Sequence, residues 1–175
     1  MMKTLLLLPL IALFFGCSSH HEPLPTVEKL SLDRYKGTWY EIARYEHRFE
    51  KGCRDVSATY SLRDDGKIDV LNRCMKDDGL SEAHGVAYAT DASNTKLKVS
   101  FFWPFYGDYW VLMLADDYRY ALVGDPSREY LWILSRTPTL DPADRELILK
   151  NLPALGYQEA PLVWTQQTGA QNVMH

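Results

Sequence analysis

The feature that most restricts the fold is a run of short segments in which apolar and polar residues alternate, each segment closed by a turn signal. The segments are Thr38–Tyr45, Cys53–Arg63, Gly66–Cys74, Glu82–Thr90, Lys96–Phe101, Tyr109–Leu114, Tyr120–Gly124 and Glu129–Arg136. A period of two is the pattern of a half-buried strand. Asp64-Asp65-Gly66 carries the Asp-Gly signal of a tight hairpin. Asp91–Asn94, Asp116-Asp117 and Asp125–Arg128 punctuate later joins with turn-forming residues. Eight strands with short, regular joins predict an all-β up-and-down barrel or a sandwich. The 11 Tyr, 6 Phe and 5 Trp suit strands. A hydrophobic share of 46% excludes disorder. The net charge of −4 is spread along the chain, without the basic stripe that nucleic-acid binding needs.

The two ends read differently. Met1-Met2-Lys3 is a short positive start, and Thr4 to Phe15 is apolar apart from Pro9. Such a run fits a signal h-region and is short of the roughly 20 residues that span a bilayer. Residues 1–16 are therefore expected to be a signal peptide. Residues 17–31 read as a tether, with Pro23, Pro25 and no period. His20-His21 has no further ligand nearby and reads as solvated. Near the other end, Asp141 is a helix N-cap with Pro142 at the first helical position. A helix is expected to run from Ala143 to Leu152, followed by a last strand at Leu162–Gln167 and a tail at 169–175.

Three motifs carry a resemblance. Gly37-Thr38-Trp39-Tyr40 is similar to the GxWY opening of the lipocalins. Asp117–Ala121 resembles the second motif of that family, and Leu134–Pro138, with Arg136, the third. The likeness covers about 32–168 and is closest to the bacterial outer-membrane lipocalins, with apolipoprotein D more distant. It implies an eight-stranded antiparallel barrel with a C-terminal helix and a short final strand. It further implies that Gly37, Trp39 and Arg136 are structural, with the arginine stacked on the indole across the closed end. Gly16-Cys17-Ser18 resembles a bacterial lipobox, which implies cleavage before Cys17, lipid on the new N-terminal Cys, and sorting of a lipid-anchored protein to the outer membrane, facing the periplasm. Membrane-grade anchoring takes more than one acyl chain.

Alternation then assigns a lumen, because residues two apart on a strand share a face. With Trp39 inward, Glu41, Ala43 and Tyr45 follow. Ala58 and Tyr60, Val99 and Phe101, Tyr109 and Val111, and Tyr130 and Trp132 complete a cavity wall wide enough for one small ligand. Glu41, a carboxylate on that face, needs a partner; Arg136 is one candidate. The Phe102–Asp108 loop puts Trp103, Phe105 and Tyr106 at the mouth, as a lid over it or as a contact for membrane or a partner, including a homodimer through the open end. Cys53 and Cys74 come nearly opposite each other about the Asp64-Asp65 turn, and a secreted protein would pair them.

The resemblance implies a carrier of fatty acid or lysophospholipid, working without chemistry and without metal or other cofactor. Three alternatives remain open on sequence: a carrier of a flat pigment or haem-like ring, a lipid-modifying enzyme acting through Glu41, and an interaction module working through the mouth.

Overall fold

A computed structural model describes residues 23–169. The signal segment, Cys17, His20-His21 and residues 170–175 lie outside the described residues. A short helical turn α1 (Leu32–Tyr35) leads into β1 (Gly37–Tyr45), β2 (Arg54–Leu62), β3 (Ile68–Lys76) and β4 (Gly79–Ala89). β5 (Lys96–Phe102), β6 (Phe105–Leu114), β7 (Tyr120–Gly124) and β8 (Leu131–Ser135) follow, then α2 (Pro142–Asn151) and β9 (Leu162–Trp164). All pairings are antiparallel, in the order β2-β3-β4-β5-β6-β7-β8-β1-β9, and β1 pairs back to β2 to close an eight-stranded barrel. Short hairpin joins pair each of β2 to β8 with its neighbours in the chain, and β1 closes the barrel against β8. Asp141 caps α2, its side chain accepting from the Ala143 backbone N–H at 2.8 Å.

The structure corrects three expectations. The Phe102–Asp108 segment is a hairpin, since Phe102 already pairs with Phe105 and the turn is only Trp103-Pro104. The other two corrections concern side-chain direction and the N-terminal segment. On β1, Glu41 opposes Leu134 while Ala43 opposes Ile133, so Ile42 is an extra residue. This bulge reverses the alternation beyond it. Ala43 and Tyr45 consequently face outward into the cluster under α2, with Ile133, Ile148 and Leu152. Arg44 takes the inward position. A second bulge between Val111 and Met113 sends Met113 to the same outer cluster.

The tether is also shorter than residues 17–31. From Leu24 the chain is docked on the barrel. Leu24 packs in the α2 cluster, and Leu30 is fully buried with Trp39. The Val27 backbone N–H donates to the Val111 carbonyl at 3.0 Å, and that of Leu30 to Ser93 at 2.8 Å. Leu24, Val27 and Leu30 recur every third residue, which lets one side of an extended, Pro-containing segment face the protein.

The closed end has the expected construction. The Arg136 guanidinium lies 3.9 Å from the Trp39 ring centroid and donates to the carbonyls of Thr38 (3.0 Å) and Arg34 (2.6 Å). Gly37 adopts φ +96°, and an added Cβ would sit 3.4 Å from Arg136 Nη1. The positive φ favours glycine there. Cys53 and Cys74 form a disulfide with Cα atoms 5.4 Å apart.

Candidate ligand-binding lumen

Above the Trp39 floor the barrel encloses a cavity of about 90 Å³. Its deep part is apolar: Val70, Ala87, Leu97, Val99 and Leu134 line it together with Ala58. At the bottom three tyrosines form a chain of hydroxyls. Tyr109 bonds Tyr35 at 2.7 Å and Tyr60 at 3.0 Å. Burial raises the pKa of all three above the ordinary phenol value, that of Tyr60 to about 12. They are therefore neutral hydrogen-bonding groups at physiological pH.

Six of the ten residues expected on the wall are there: Ala58, Tyr60, Val99, Phe101, Tyr109 and Trp132. Four are not. Ala43 and Tyr45 point outward because of the bulge. Val111 is fully buried in the packed core beside Trp39 and Leu97 instead of lining open space. Tyr130 precedes β8 and stacks on Trp132, with centroids 5.8 Å apart and planes 11° from parallel. It stands beside the lumen wall without lining the cavity.

The mouth half holds a polar cluster that the sequence did not reveal. Glu41 is 3% exposed and accepts from Arg44 Nη1 at 2.8 Å and from the Thr165 hydroxyl. Its partner is thus Arg44, not Arg136. Arg44 also donates to Thr165 (3.2 Å) and to the Glu50 carbonyl (2.8 Å), and its Nε lies 3.5 Å from Glu50 Oε2. Glu50 reaches back into the lumen from the loop between β1 and β2. His47 Nε2 lies 3.1 Å from Glu50 Oε2, and Trp132 Nε1 donates to the same oxygen at 3.4 Å. Burial first, and then the negative charge of Glu50, push the Glu41 carboxyl up to about 8. Burial works the other way on Glu50, but the hydrogen bond and charge of His47, with a hydrogen bond from Glu41, hold it below the ordinary range. The two carboxyls thus share one proton at neutral pH, carried by Glu41.

The C-terminal segment completes this wall. β1 pairs with β2 only from Gly37 to Tyr40, and beyond the bulge it pairs with β9. Gln167 Nε2 bridges the carbonyls of Glu41 (2.8 Å) and Val56 (2.9 Å). Buried Asp55 accepts from the Thr168 hydroxyl at 2.6 Å and from the Gly169 backbone at 2.8 Å. The segment after α2 therefore seals the seam between β1 and β2 near the mouth.

The rim is aromatic and open to solvent. Trp103 is 79% exposed, Phe102 75%, Phe105 69% and Phe49 64%. These rings are not folded over the lumen as a lid.

Residues 30–167 match the Lipocalin-like domain family. The chain belongs to the lipocalin family. The outer membrane lipoprotein Blc of Escherichia coli K12 is 46% identical over 175 residues, covering 94% of this chain and 99% of that protein. Apolipoprotein D of Bos taurus is 36% identical, over 81% of this chain and 83% of its own length. Among solved structures, insecticyanin from the tobacco hornworm Manduca sexta superposes with a TM-score of 0.71 at 20% identity, over 86% of this chain and 87% of that one. That likeness shows the barrel fold alone. The lipocalin described here is an outer-membrane lipoprotein of the bacterial branch, held at the outer membrane by a lipid anchor.

Proposed function

We propose that this lipocalin, acylated at Cys17, reversibly carries one single-chain lipid, of the fatty acid or lysophospholipid class, for storage, transport or repair in the cell envelope. The observation that carries this reading is the lining of the cavity. Its depth is apolar and its mouth half polar, which matches a tail-in, head-out ligand. Glu41 has its hydrogen bonds to Arg44 and Thr165 within the wall, an arrangement for holding structure that supports binding without chemistry. The exposed rim of Trp103, Phe105 and Tyr106 suits contact with the membrane interface, where aromatic rings are enriched.

The test is Ala58→Arg. Ala58 lines the cavity and pairs with Trp39 and Asn72 in the barrel wall. A long cationic side chain there should block the tail path and reduce binding of a fluorescent single-chain lipid at least tenfold. Wild-type affinity in a folded variant, checked by circular dichroism, would refute the lumen as the site.

A further inference from the structure

The floor of the lumen holds hydrogen-bonding capacity that the packed barrel does not use. Tyr35, Tyr60 and Tyr109 join their hydroxyls through two contacts, both made by Tyr109. Burial keeps the three phenols neutral, so each hydroxyl carries one proton. Three protons serve two contacts, and one O–H lacks an acceptor within the trio. When the bonds run from Tyr35 toward Tyr60, the spare proton is on Tyr60. When both outer tyrosines donate to Tyr109, it is on Tyr109. Only the opposite run leaves it on Tyr35, and then the Tyr60 oxygen keeps both lone pairs free. Tyr60 and Tyr109 line the cavity, whereas Tyr35 is buried against Trp39, ring centroids 4.8 Å apart. The floor thus offers the cavity a free donor or a free acceptor in every arrangement.

An independent observation lies one inward position nearer the mouth. Tyr60 on β2 pairs with Val70 on β3, and Ala58 with Asn72, so Asn72 stands one step above the tyrosines. Its Oδ1 is buried with no hydrogen-bond partner among the described residues, and Asn72 lines the same cavity. The rest of the deep lining, Val70, Ala87, Leu97, Val99 and Leu134, is apolar and supplies no partner. Buried polar groups without partners are costly, and a plain hydrocarbon tail supplies none.

On the reading that the lumen holds a single-chain lipid with its head at the mouth, we propose that the floor is a subsite for a hydroxyl group at the far end of the tail, received by Tyr60 and Tyr109, with Asn72 as a second acceptor on the mouth side. An alcohol fits because it donates and accepts at once, and so completes the tyrosine chain whichever way that chain runs. It is also neutral and brings no charge into the apolar depth. A purely apolar pocket would reject such a tail. A site built to hydrogen-bond a hydroxyl discriminates in its favour.

The experiment uses residues 18–175, which contain the whole described barrel, and three probes: hexadecanoate, 16-hydroxyhexadecanoate and 16-methoxyhexadecanoate, whose capped oxygen cannot donate. Each displaces a fluorescent fatty acid at pH 7.5, below its micelle concentration. On an apolar floor the terminal hydroxyl would weaken binding about tenfold or more relative to hexadecanoate. Here 16-hydroxyhexadecanoate should bind within about threefold of hexadecanoate or more tightly, and the methoxy probe at least tenfold more weakly than the hydroxy probe. Replacing Tyr60 and Tyr109 together by Phe should lower the affinity ratio of 16-hydroxyhexadecanoate to hexadecanoate at least tenfold. Weaker binding of the hydroxy probe than that threefold limit by the wild-type protein would overturn the proposal without any variant. Equal affinity for the hydroxy and methoxy probes would overturn it too, because the hydroxyl would then sit at the mouth in a reversed ligand. An unchanged ratio in the folded Phe variant would do the same. In these cases tight hexadecanoate binding leaves the lumen reading intact and isolates the error in the floor. Failure of all three probes to bind would overturn the lumen reading, and this proposal with it.

Discussion

Replacing Glu41 by Gln should remove a pH dependence of stability that the wild-type chain carries. In the fold the carboxyl titrates at about 8, against 4.5 for an unperturbed glutamate. Between those values the folded chain holds a proton that the unfolded chain releases. The Glu41 contribution to stability therefore falls as pH rises from about 4.5 and levels off above about 8. Each pH unit within that window is worth up to ~1.4 kcal/mol, so the interval from pH 5.5 to 8 contributes up to about 3 kcal/mol. Glutamine copies the neutral state: Oε1 accepts from Arg44 and Thr165, and the side chain carries no charge toward Glu50. The variant should thus match wild type near pH 5 and exceed it increasingly up to pH 8. Urea unfolding midpoints of residues 18–175 at pH 5, 6, 7, 8 and 9, with the disulfide intact, measure the difference. Two parallel stability curves would refute the reasoning, because they would mean that Glu41 is ionised in the fold throughout.

Trp39→Ala should cost about 3–5 kcal/mol of stability, since the indole is fully buried and carries Arg136 on its face; urea unfolding at pH 7 checks this. Replacing Trp103 and Phe105 together by Ser should slow lipid uptake from vesicles by stopped-flow fluorescence, while equilibrium affinity for the free lipid stays within a few-fold. An unchanged uptake rate would show that loading goes through solution and not through the rim.

The frame was legible in the sequence for reasons that are local. Turn residues and period-two alternation place β1 to β8, Asp141-Pro142 starts α2, and the Gly37-Trp39 and Arg136 motifs locate the closed end. Cys53 and Cys74 flank one hairpin nearly opposite each other, and they pair. The chemistry of the lumen was not legible, because it rests on departures from regularity. Simple alternation puts Glu41 and Arg44 on opposite faces of β1, and only the extra residue at Ile42 brings them to one side. Glu50 and His47 stand in a loop with no period, and nothing local says that the loop folds back inward. The unpaired inward carboxylate at Glu41 was the one clue that a cation had to be near. The threefold spacing of Leu24, Val27 and Leu30 was the readable sign that the segment before β1 is docked.

That docking changes how the anchored barrel meets its membrane. With the chain fixed from Leu24, only six residues (18–23) lie between it and Cys17, a reach of at most ~25 Å. A ten-residue strand such as β6 spans ~33 Å along its length, which becomes a barrel height of ~25 Å at a strand tilt near 40°. The docked segment runs from Leu24, in the cluster under α2 on the barrel's outer wall, to Leu30 beside Trp39 at the closed end, so the free chain starts at the wall by α2. A reach no longer than one barrel height from that point leaves slack for a barrel lying on its side and little for one standing on its mouth. The rim of Trp103, Phe105 and Phe49 can still touch the surface in a tilted pose, because one edge of the mouth suffices. An anchor at Cys17 would thus keep the aromatic rim near the bilayer with little slack for the barrel to turn over it, and on the proposed reading uptake would depend on the rim's own grip on the interface.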